Sequence, residues 1–158
     1  MKIRKNALKI SEENAVRGFL EKIGGKLGFQ KKEDWYNMKW KDISKSSPKL
    51  KTLLSRFEAS PPKLMNFIYP SHEWLEWKFE SVPKGFWSIH MNQRKWLDWL
   101  GEQLGYKSLE DWYQITTKII HDKGGITLLE KYGGSPSNMV ISVYNEHEWM
   151  IWRVMLIP

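Results

Sequence analysis

An internal repeat is the feature of this sequence that most restricts its possible folds. The pattern L-G-aromatic followed by E-D-W-Y occurs at residues 27–36 and returns 77 positions later at residues 104–113. Four further elements, LL, SP, Y and HEW, occur in that order between residues 53 and 74 and return 75 positions later, between residues 128 and 149. A loop that is two residues shorter in the second copy accounts for the change of spacing. Self-similarity over this length predicts two tandem copies of one supersecondary unit.

The bounds of the two copies follow from the prolines that close them. Pro83 closes the first copy, and its counterpart is Pro158, at the end of the 158-residue sequence. We therefore predict a first repeat unit at residues 11–83 and a second repeat unit at residues 84–158. The opening stretch, residues 1–10, is basic and contains no acidic residue, and we predict that it forms an N-terminal arm.

Apolar residues within each unit recur at helical spacing. From Ala15 onward they fall at steps of three and four residues, which is the stripe of an amphipathic helix. Ser11 is a suitable N-cap for this helix, and Gly28 is placed for a left-handed C-cap. The corresponding helix of the second unit is predicted from near Asn92 to Gly105.

Three short helices are predicted next in each unit, and the turn signals are clearest in the second unit. Glycine pairs end predicted helices at residues 117–123 and 126–132, and Ser135-Pro136 supplies an N-cap and a first-turn proline for a third, which runs to about Tyr144. Residues 148–154 are predicted to form an extended or irregular aromatic segment that packs over the helices. We therefore expect an all-α fold in which each unit has a helix-turn-helix-like trihelical part and a closing aromatic segment.

These recurring elements resemble a tandem helical repeat module of uncharacterised fungal and protist proteins. The resemblance rests on WY, LL, SP, Y and HEW, and on a final Trp followed by a basic residue, here Trp77-Lys78 and Trp152-Arg153. It covers nearly all of the chain and includes a Val-Pro-Lys-Gly-Phe-Trp link between copies, here residues 82–87. The first copy departs from the module where Ser46-Ser47-Pro48 replaces a glycine pair. The resemblance implies an array-forming helical unit and implies no activity, cofactor or site residue.

Composition excludes several classes of function. The chain has no cysteine, which rules out disulfides, thiolate catalysis and cysteine-ligated metal centres. No apolar run reaches the roughly eighteen residues that span a bilayer, and the opening residues lack the apolar core of a secretory signal. We therefore expect an intracellular protein without a membrane partner, and the sequence does not distinguish the nucleus from an organelle.

No set of residues in the sequence has the spacing of a known catalytic or metal-binding motif. His72 and His147 stand at corresponding positions beside Glu and Trp, and we predict structural hydrogen bonds for them rather than a metal. Glu33-Asp34 and Glu110-Asp111 stand at helix starts, where carboxylates cap backbone N–H groups. No nucleotide-binding glycine motif is present, and Gly24 is predicted to let two helices approach closely. We predict no enzyme activity and no cofactor, because a hydrolase or nuclease needs converging groups.

Positive charge is the strongest functional signal in the sequence. Residues 1–80 contain 17 Lys or Arg and 10 Asp or Glu, a net charge of +7, whereas residues 81–158 contain 8 of each. Lysines on short helices are suited to contact phosphates, and the trihelical outline favours duplex DNA slightly over RNA. We therefore predict a nucleic-acid-binding module. Its predicted contact residues are Lys31, Lys32, Lys39, Lys41, Lys45, Lys49, Lys51, Arg56 and Lys63.

Three other interpretations of the chain stay open. The basic residues can form a solvated surface that serves solubility. The chain can be a helical scaffold whose second unit binds a protein partner, with Trp40, Trp87 and Trp99 as exposed anchors. It can also be a structural component of a ribonucleoprotein, because lysines and aromatic residues contact RNA as well as DNA. Tryptophans that recur in both copies are predicted to pack in the core instead.

Overall fold

The computed structural model describes the backbone of residues 2–154 and the side chains of residues 11–154. Over residues 2–154 the chain is all-helical and has no strand. It divides into two compact units with a boundary between Pro83 and Lys84. None of the described helices is both long and apolar enough to cross a membrane. Pro158, the predicted end of the second unit, lies outside the described residues.

The first unit contains one long helix, three short ones and two short 3₁₀ helices. Its α-helices are α1 (Lys2–Lys26), α2 (Trp40–Ser46), α3 (Pro48–Ser55) and α4 (Pro61–Ile68), and its 3₁₀ helices span Lys32–Asn37 and Glu76–Lys78. The prediction that Ser11 caps α1 is wrong, because the helix has already begun at Lys2. Residues 2–10 contain no glycine or proline and consist mostly of good helix formers, so nothing in them stops the helix. The residues predicted as a basic arm therefore have a helical backbone.

The second unit has the same succession of elements with a few additions. Its α-helices are α5 (His90–Leu104), α6 (Thr117–Asp122), α7 (Ile126–Glu130), α8 (Pro136–Val143) and α9 (Ile151–Val154), and its 3₁₀ helices span Phe86–Ser88 and Leu109–Gln114. Helix α5 begins two residues before the predicted Asn92. The closing segment differs from the prediction, because it contains the single helical turn α9.

The long helices end as predicted, at glycines in the left-handed conformation. Gly28 has a φ of 76°, and Gly105 has a φ of 74°. The next residue then donates its N–H back into the last turn, from Phe29 to the carbonyl of Gly24 at 2.9 Å in the first unit. This pattern satisfies a carbonyl that the helix end would leave unpaired, and it sends the chain toward the following 3₁₀ helix.

Serine and threonine side chains begin the short helices. Ser47, Ser60 and Ser135 each accept a hydrogen bond from the backbone N–H three residues later, and a proline follows each of them. Thr116 accepts one in the same way from Ile119 and begins α6. The sequence predicts the cap at Ser135, and the same chemistry explains the others: the hydroxyl accepts from an N–H that has no helical partner, and the proline has no N–H to leave unpaired.

Tryptophans fill the core of each unit, as predicted for the recurring ones in the first unit. Trp35 packs against Gly24 so closely that a Cβ on Gly24 would lie 3.0 Å from the indole ring. In the second unit Trp112 stands 3.2 Å from a Cβ placed on Gly101. The Trp35 ring belongs to the 3₁₀ helix Lys32–Asn37, so the missing side chain of Gly24 lets that helix pack closely on α1, in agreement with the prediction.

The closing segments of the two units differ in burial. Trp77 is 8% exposed in the first unit, whereas its counterpart Trp152 is 67% exposed. Ile151, next to it, is 71% exposed. The prediction that the closing segment packs over the helices is thus confirmed for the first unit and is wrong for Trp152, because the turn of α9 points this ring outward.

Candidate nucleic-acid interface

Helix α2 turns its apolar residues to the core, and its lysines therefore lie on the exposed side. Trp40 is 1% exposed, and Ile43, one turn later, packs against the same core. Lys41 and Lys45 are four residues apart, so their Cα atoms lie about 40° apart around the helix, away from the core. Lys39 precedes the helix at the N-cap position and is exposed. We call Lys39, Lys41 and Lys45 the α2 lysines.

The same positions in α6 carry an ion pair. The ammonium of Lys118 lies 2.6 Å from the carboxylate of Asp122, four residues later, and this hydrogen bond lowers the pKa of Asp122. The counterparts of these two residues, 77 positions earlier, are Lys41 and Lys45. Opposite charges at this spacing stabilise a helix, and like charges destabilise it by a similar amount. Lys45 instead pairs with Asp42, with 3.4 Å between the charged atoms, and both side chains are more than 70% exposed.

Helix α3 separates its two predicted contact residues. Leu50, Leu53 and Leu54 are buried and turn one face of the helix to the core. Lys49 and Lys51 fall on opposite flanks of that face, about 160° apart around the axis. The Lys49 ammonium lies 4.3 Å above the ring centre of Phe19 on α1. Lys51 is exposed.

The remaining predicted contact residues lie elsewhere, and two of them are neutralised. Arg56 pairs with Glu12 across α1 and α3, and Lys63 pairs with Glu58 in the turn before α4. Lys32 lies near the Tyr69 ring, with its ammonium 5.5 Å from the ring centre. Lys31 is exposed at the start of the 3₁₀ helix. The nine predicted residues therefore do not form one patch, and the α2 lysines are the densest group among them.

The aspartate of each acidic pair caps backbone N–H groups, as predicted for the pairs. The Asp34 carboxylate accepts hydrogen bonds from the backbone N–H groups of Gln30 at 2.7 Å and Lys31 at 3.0 Å. Asp111 accepts the corresponding two bonds in the second unit. Because these bonds favour the charged form, the pKa values of both carboxyls lie below their ordinary range. A carboxylate held in this way is a helix cap and a poor general acid.

The prediction of a structural hydrogen bond is confirmed for His147, whereas His72 lies too far from its carboxylate for one. The His147 ring nitrogen lies 3.1 Å from the Glu110 carboxylate, and the ring meets Trp149 edge to face. His72 packs on Trp74 in the same geometry, and its ring nitrogen is 3.9 Å from the Glu33 carboxylate. Within residues 11–154, no three His, Asp or Glu side chains gather in a way that could hold a metal ion.

Two of the tryptophans expected to anchor a protein partner are not available on the surface. Trp40 is 1% exposed and Trp87 is 5% exposed. Trp99 is half-buried. The prediction of exposed anchors is wrong for Trp40 and Trp87, because Trp40 packs beside Trp35 in the first core and Trp87 packs on Trp96 in the second.

No protein-family model, curated protein or solved structure matches this chain. The geometry of the two units is therefore the basis for the functional argument.

Proposed function

We propose that the chain is a non-enzymatic nucleic-acid-binding protein made of two tandem copies of one helical unit, with duplex DNA as the preferred ligand. The first unit supplies the phosphate contacts, and the α2 lysines with Lys51 are their centre. The second unit extends the scaffold and contributes little charge. Binding to structured RNA, as in a ribonucleoprotein, is the alternative that the same cations would serve.

The exchange of an ion pair for two lysines is the observation that carries this proposal. Where α6 has Lys118 and Asp122 in contact, α2 has Lys41 and Lys45. The first unit thereby loses this i,i+4 pair, which is worth about 0.2–0.5 kcal/mol. Lys45 pairs with Asp42 instead, so Lys41 is the added positive charge on the helix. A surface serving solubility alone has no need of this exchange, whereas a phosphate-binding surface does.

At most of the predicted contact positions, a basic residue in the first unit corresponds to an uncharged or acidic residue in the second. Counterparts lie 77 positions later for residues up to 46 and 75 positions later from residue 48. The counterparts of the nine predicted contact residues are Ser108, Leu109, Thr116, Lys118, Asp122, Gly124, Ile126, Lys131 and Asn138. Only Lys118 and Lys131 among them are basic. The positive charge is thus specific to the first unit.

A binding titration against duplex DNA, single-stranded DNA and structured RNA at several salt concentrations tests the proposal. The test variant changes four exposed lysines to Gln, namely Lys39, Lys41, Lys45 and Lys51. The control variant removes the same charge from the second unit at Lys84, Lys107, Lys118 and Lys123. Four phosphate contacts contribute about −3.6 to the slope of log affinity against log salt on duplex DNA.

We expect the test variant to lose that part of the slope and the control variant to keep it. Equal affinities and slopes for the two variants would show that net charge alone drives binding, and the site assignment would be wrong. A wild-type slope near zero on all three ligands would overturn the proposal of nucleic-acid binding itself. Tighter binding of structured RNA than of the duplex would move the preferred ligand to RNA.

A single substitution separates stability from binding at the same place. Lys45→Asp recreates on α2 the pair that α6 has, but it removes the pair of Lys45 with Asp42, so it should leave the stability of the first unit nearly unchanged. It should weaken duplex binding, because one phosphate contact is replaced by a repulsive charge. A variant that binds equally well would contradict the role given to Lys45.

A further inference from the structure

An apolar groove lies open between α1 and α3 in the first unit. It has a volume of about 430 Å³, within the range of pockets that bind ligands. Its lining residues are Ala15, Val16, Phe19, Pro48, Lys49, Thr52, Leu53 and Arg56. Val16 and Phe19 are only partly buried in the described structure.

The corresponding place in the second unit is covered by the chain itself. The segment before α5 turns at Gly85 and lays the Phe86–Ser88 3₁₀ helix on α5. The Asn92 side chain donates to the Phe86 carbonyl at 3.0 Å, and the Gln93 side chain donates to the Trp87 carbonyl at 2.7 Å. This backbone docking holds two aromatic rings over the helix.

The rings are buried where they dock. Trp87 meets Trp96 edge to face, with 6.2 Å between ring centres. At the end of the Phe86–Ser88 helix, the Lys131 ammonium donates to the hydroxyl of Ser88 at 3.4 Å. Phe86 and Trp87 are 7% and 5% exposed.

The residues that hold this segment are the counterparts of the groove residues. Asn92, Gln93 and Trp96 stand 77 positions after Ala15, Val16 and Phe19, and Lys131 stands 75 positions after Arg56. The first unit therefore has the receiving surface without the aromatic pair that occupies it in the second unit.

We propose that this groove binds a short segment of a partner protein that carries adjacent aromatic residues and an acidic residue. The aromatic residues follow from the Phe86-Trp87 pair that occupies the corresponding place in the second unit. The acidic residue follows from charge: Lys49 stands at the rim over Phe19, whereas its counterpart is Gly124. Among the described residues, Lys49 has no acidic partner within 4.0 Å. The proposal concerns a different flank of α3 from Lys51 and does not rest on nucleic-acid binding.

Fluorescence anisotropy with labelled peptides tests this proposal on the full chain. The probe is a peptide of residues 82–89 that carries Lys84→Glu, and the comparison peptide also carries Phe86→Ala and Trp87→Ala. The test variant is Thr52→Trp, which places a ring in the groove. The matched control is Thr127→Trp, the same change at the counterpart position, and both threonines are exposed.

We expect the probe to bind the wild type and the Thr127→Trp control, and to bind Thr52→Trp about tenfold more weakly or worse, because the filled groove excludes the aromatic anchors. A Lys49→Glu variant should lose affinity for the acidic probe and prefer the peptide that keeps Lys84. The variant with four lysines changed to Gln should bind the probe like the wild type, so failure of this proposal and of the nucleic-acid proposal are distinguishable.

Three outcomes would overturn the inference. Equal binding of the probe and of the double-alanine peptide would show that aromatic residues are not recognised. Loss of binding in Thr127→Trp but not in Thr52→Trp would place the site in the second unit. Concentration-dependent dimerisation of the wild type that Thr52→Trp abolishes, measured by sedimentation, would make a second copy of this chain the occupant instead of a partner protein.

Discussion

Gly125, at the start of α7, permits the tightest contact in the second unit and offers a sharp test of the packing. A Cβ built at this position would lie 2.3 Å and 2.5 Å from two ring atoms of Trp96 and 2.8 Å from a methyl group of Ile120. Both neighbours are fully buried, so neither can move into solvent. We predict that Gly125→Ala destabilises the second unit.

The size of the effect follows from two opposing terms. Overpacking a filled core costs about 1–3 kcal/mol, and a contact this short belongs at the upper end of that range. Replacing glycine by alanine returns about 0.4–1 kcal/mol through the lower entropy of the unfolded chain. The net expected loss of unfolding free energy is about 2 kcal/mol. With a urea dependence of about 1 kcal/mol per molar, the unfolding midpoint falls by about 2 M.

The first unit indicates how the clash is relieved. There Leu50 is the counterpart of Gly125 and Phe19 is the counterpart of Trp96. The first unit thus has a larger residue at the glycine position together with a smaller ring at the tryptophan position, and both pack in its core cluster. We therefore expect Gly125→Ala to cost about 1 kcal/mol less when Trp96→Phe is already present, a coupling typical of residues in contact. The 2.8 Å approach to Ile120 remains and accounts for the rest of the cost.

Urea titrations followed by the indole N–H resonances of Trp35 and Trp112 measure the two units separately. The control is Gly25→Ala on α1, where a Cβ meets no atom within 4 Å, and this change should stabilise the helix by about 0.5–1 kcal/mol. Additive effects of Gly125→Ala and Trp96→Phe would refute the reasoning. A Gly125→Ala variant that unfolds without urea and is not rescued by Trp96→Phe would do the same.

Two further predictions concern groups whose pKa is shifted. Asp111→Ala should destabilise the second unit at pH 7. Because the folded-state pKa of Asp111 lies below the ordinary value of 3.8, the difference in stability from the wild type should fade as the pH falls through that range. Unfolding curves at several pH values measure this difference, and a difference that does not depend on pH would contradict the prediction. Tyr144→Phe should cost about 0.5–1.5 kcal/mol, because the Tyr144 hydroxyl donates to Asp98 at 2.7 Å. Burial raises the pKa of Tyr144 above its ordinary value, so this stabilisation should begin to fade above about pH 10, where the unfolded chain ionises first. Absorbance at 295 nm should show one tyrosine fewer ionising upon unfolding in the variant.

Local signals in the sequence were sufficient for the helices and for most of their ends. The serine and proline starts of α4 and α8 and the glycine end of α1 depend on backbone chemistry within four residues, which the sequence shows directly. The start of α1 was missed because a serine suited to capping is also tolerated inside a helix when good helix formers precede it. The exposure of Trp152 was missed because it depends on the turn of α9, which has no capping signal.

The candidate interface was predicted in composition but not in arrangement. A count of lysines does not show that Lys49 and Lys51 occupy opposite flanks of α3, or that Arg56 and Lys63 have acidic partners. These facts depend on which helix packs on which face. The open groove was also missed, although one signal was available: the Gly-Phe-Trp sequence of residues 85–87 is Leu-Lys-Ile at the positions 77 residues earlier.

The two units differ at two corresponding places, in the charges on a short helix and in the cover of an apolar surface, and in both respects the second unit pairs or covers more of its own groups. In the second unit the Lys118 ammonium meets the Asp122 carboxylate, and the aromatic pair at Phe86–Ser88 covers the helix before it. In the first unit the same charge position is a second lysine, and the same apolar surface is uncovered. The described first unit thus has one more positive charge on α2 and more exposed apolar surface than the second unit has at the corresponding positions. Exposed apolar surface costs stability, and in the first unit it lies where partner binding is proposed. Covering the groove with an aromatic pair, as in the second unit, should therefore raise stability and abolish that binding.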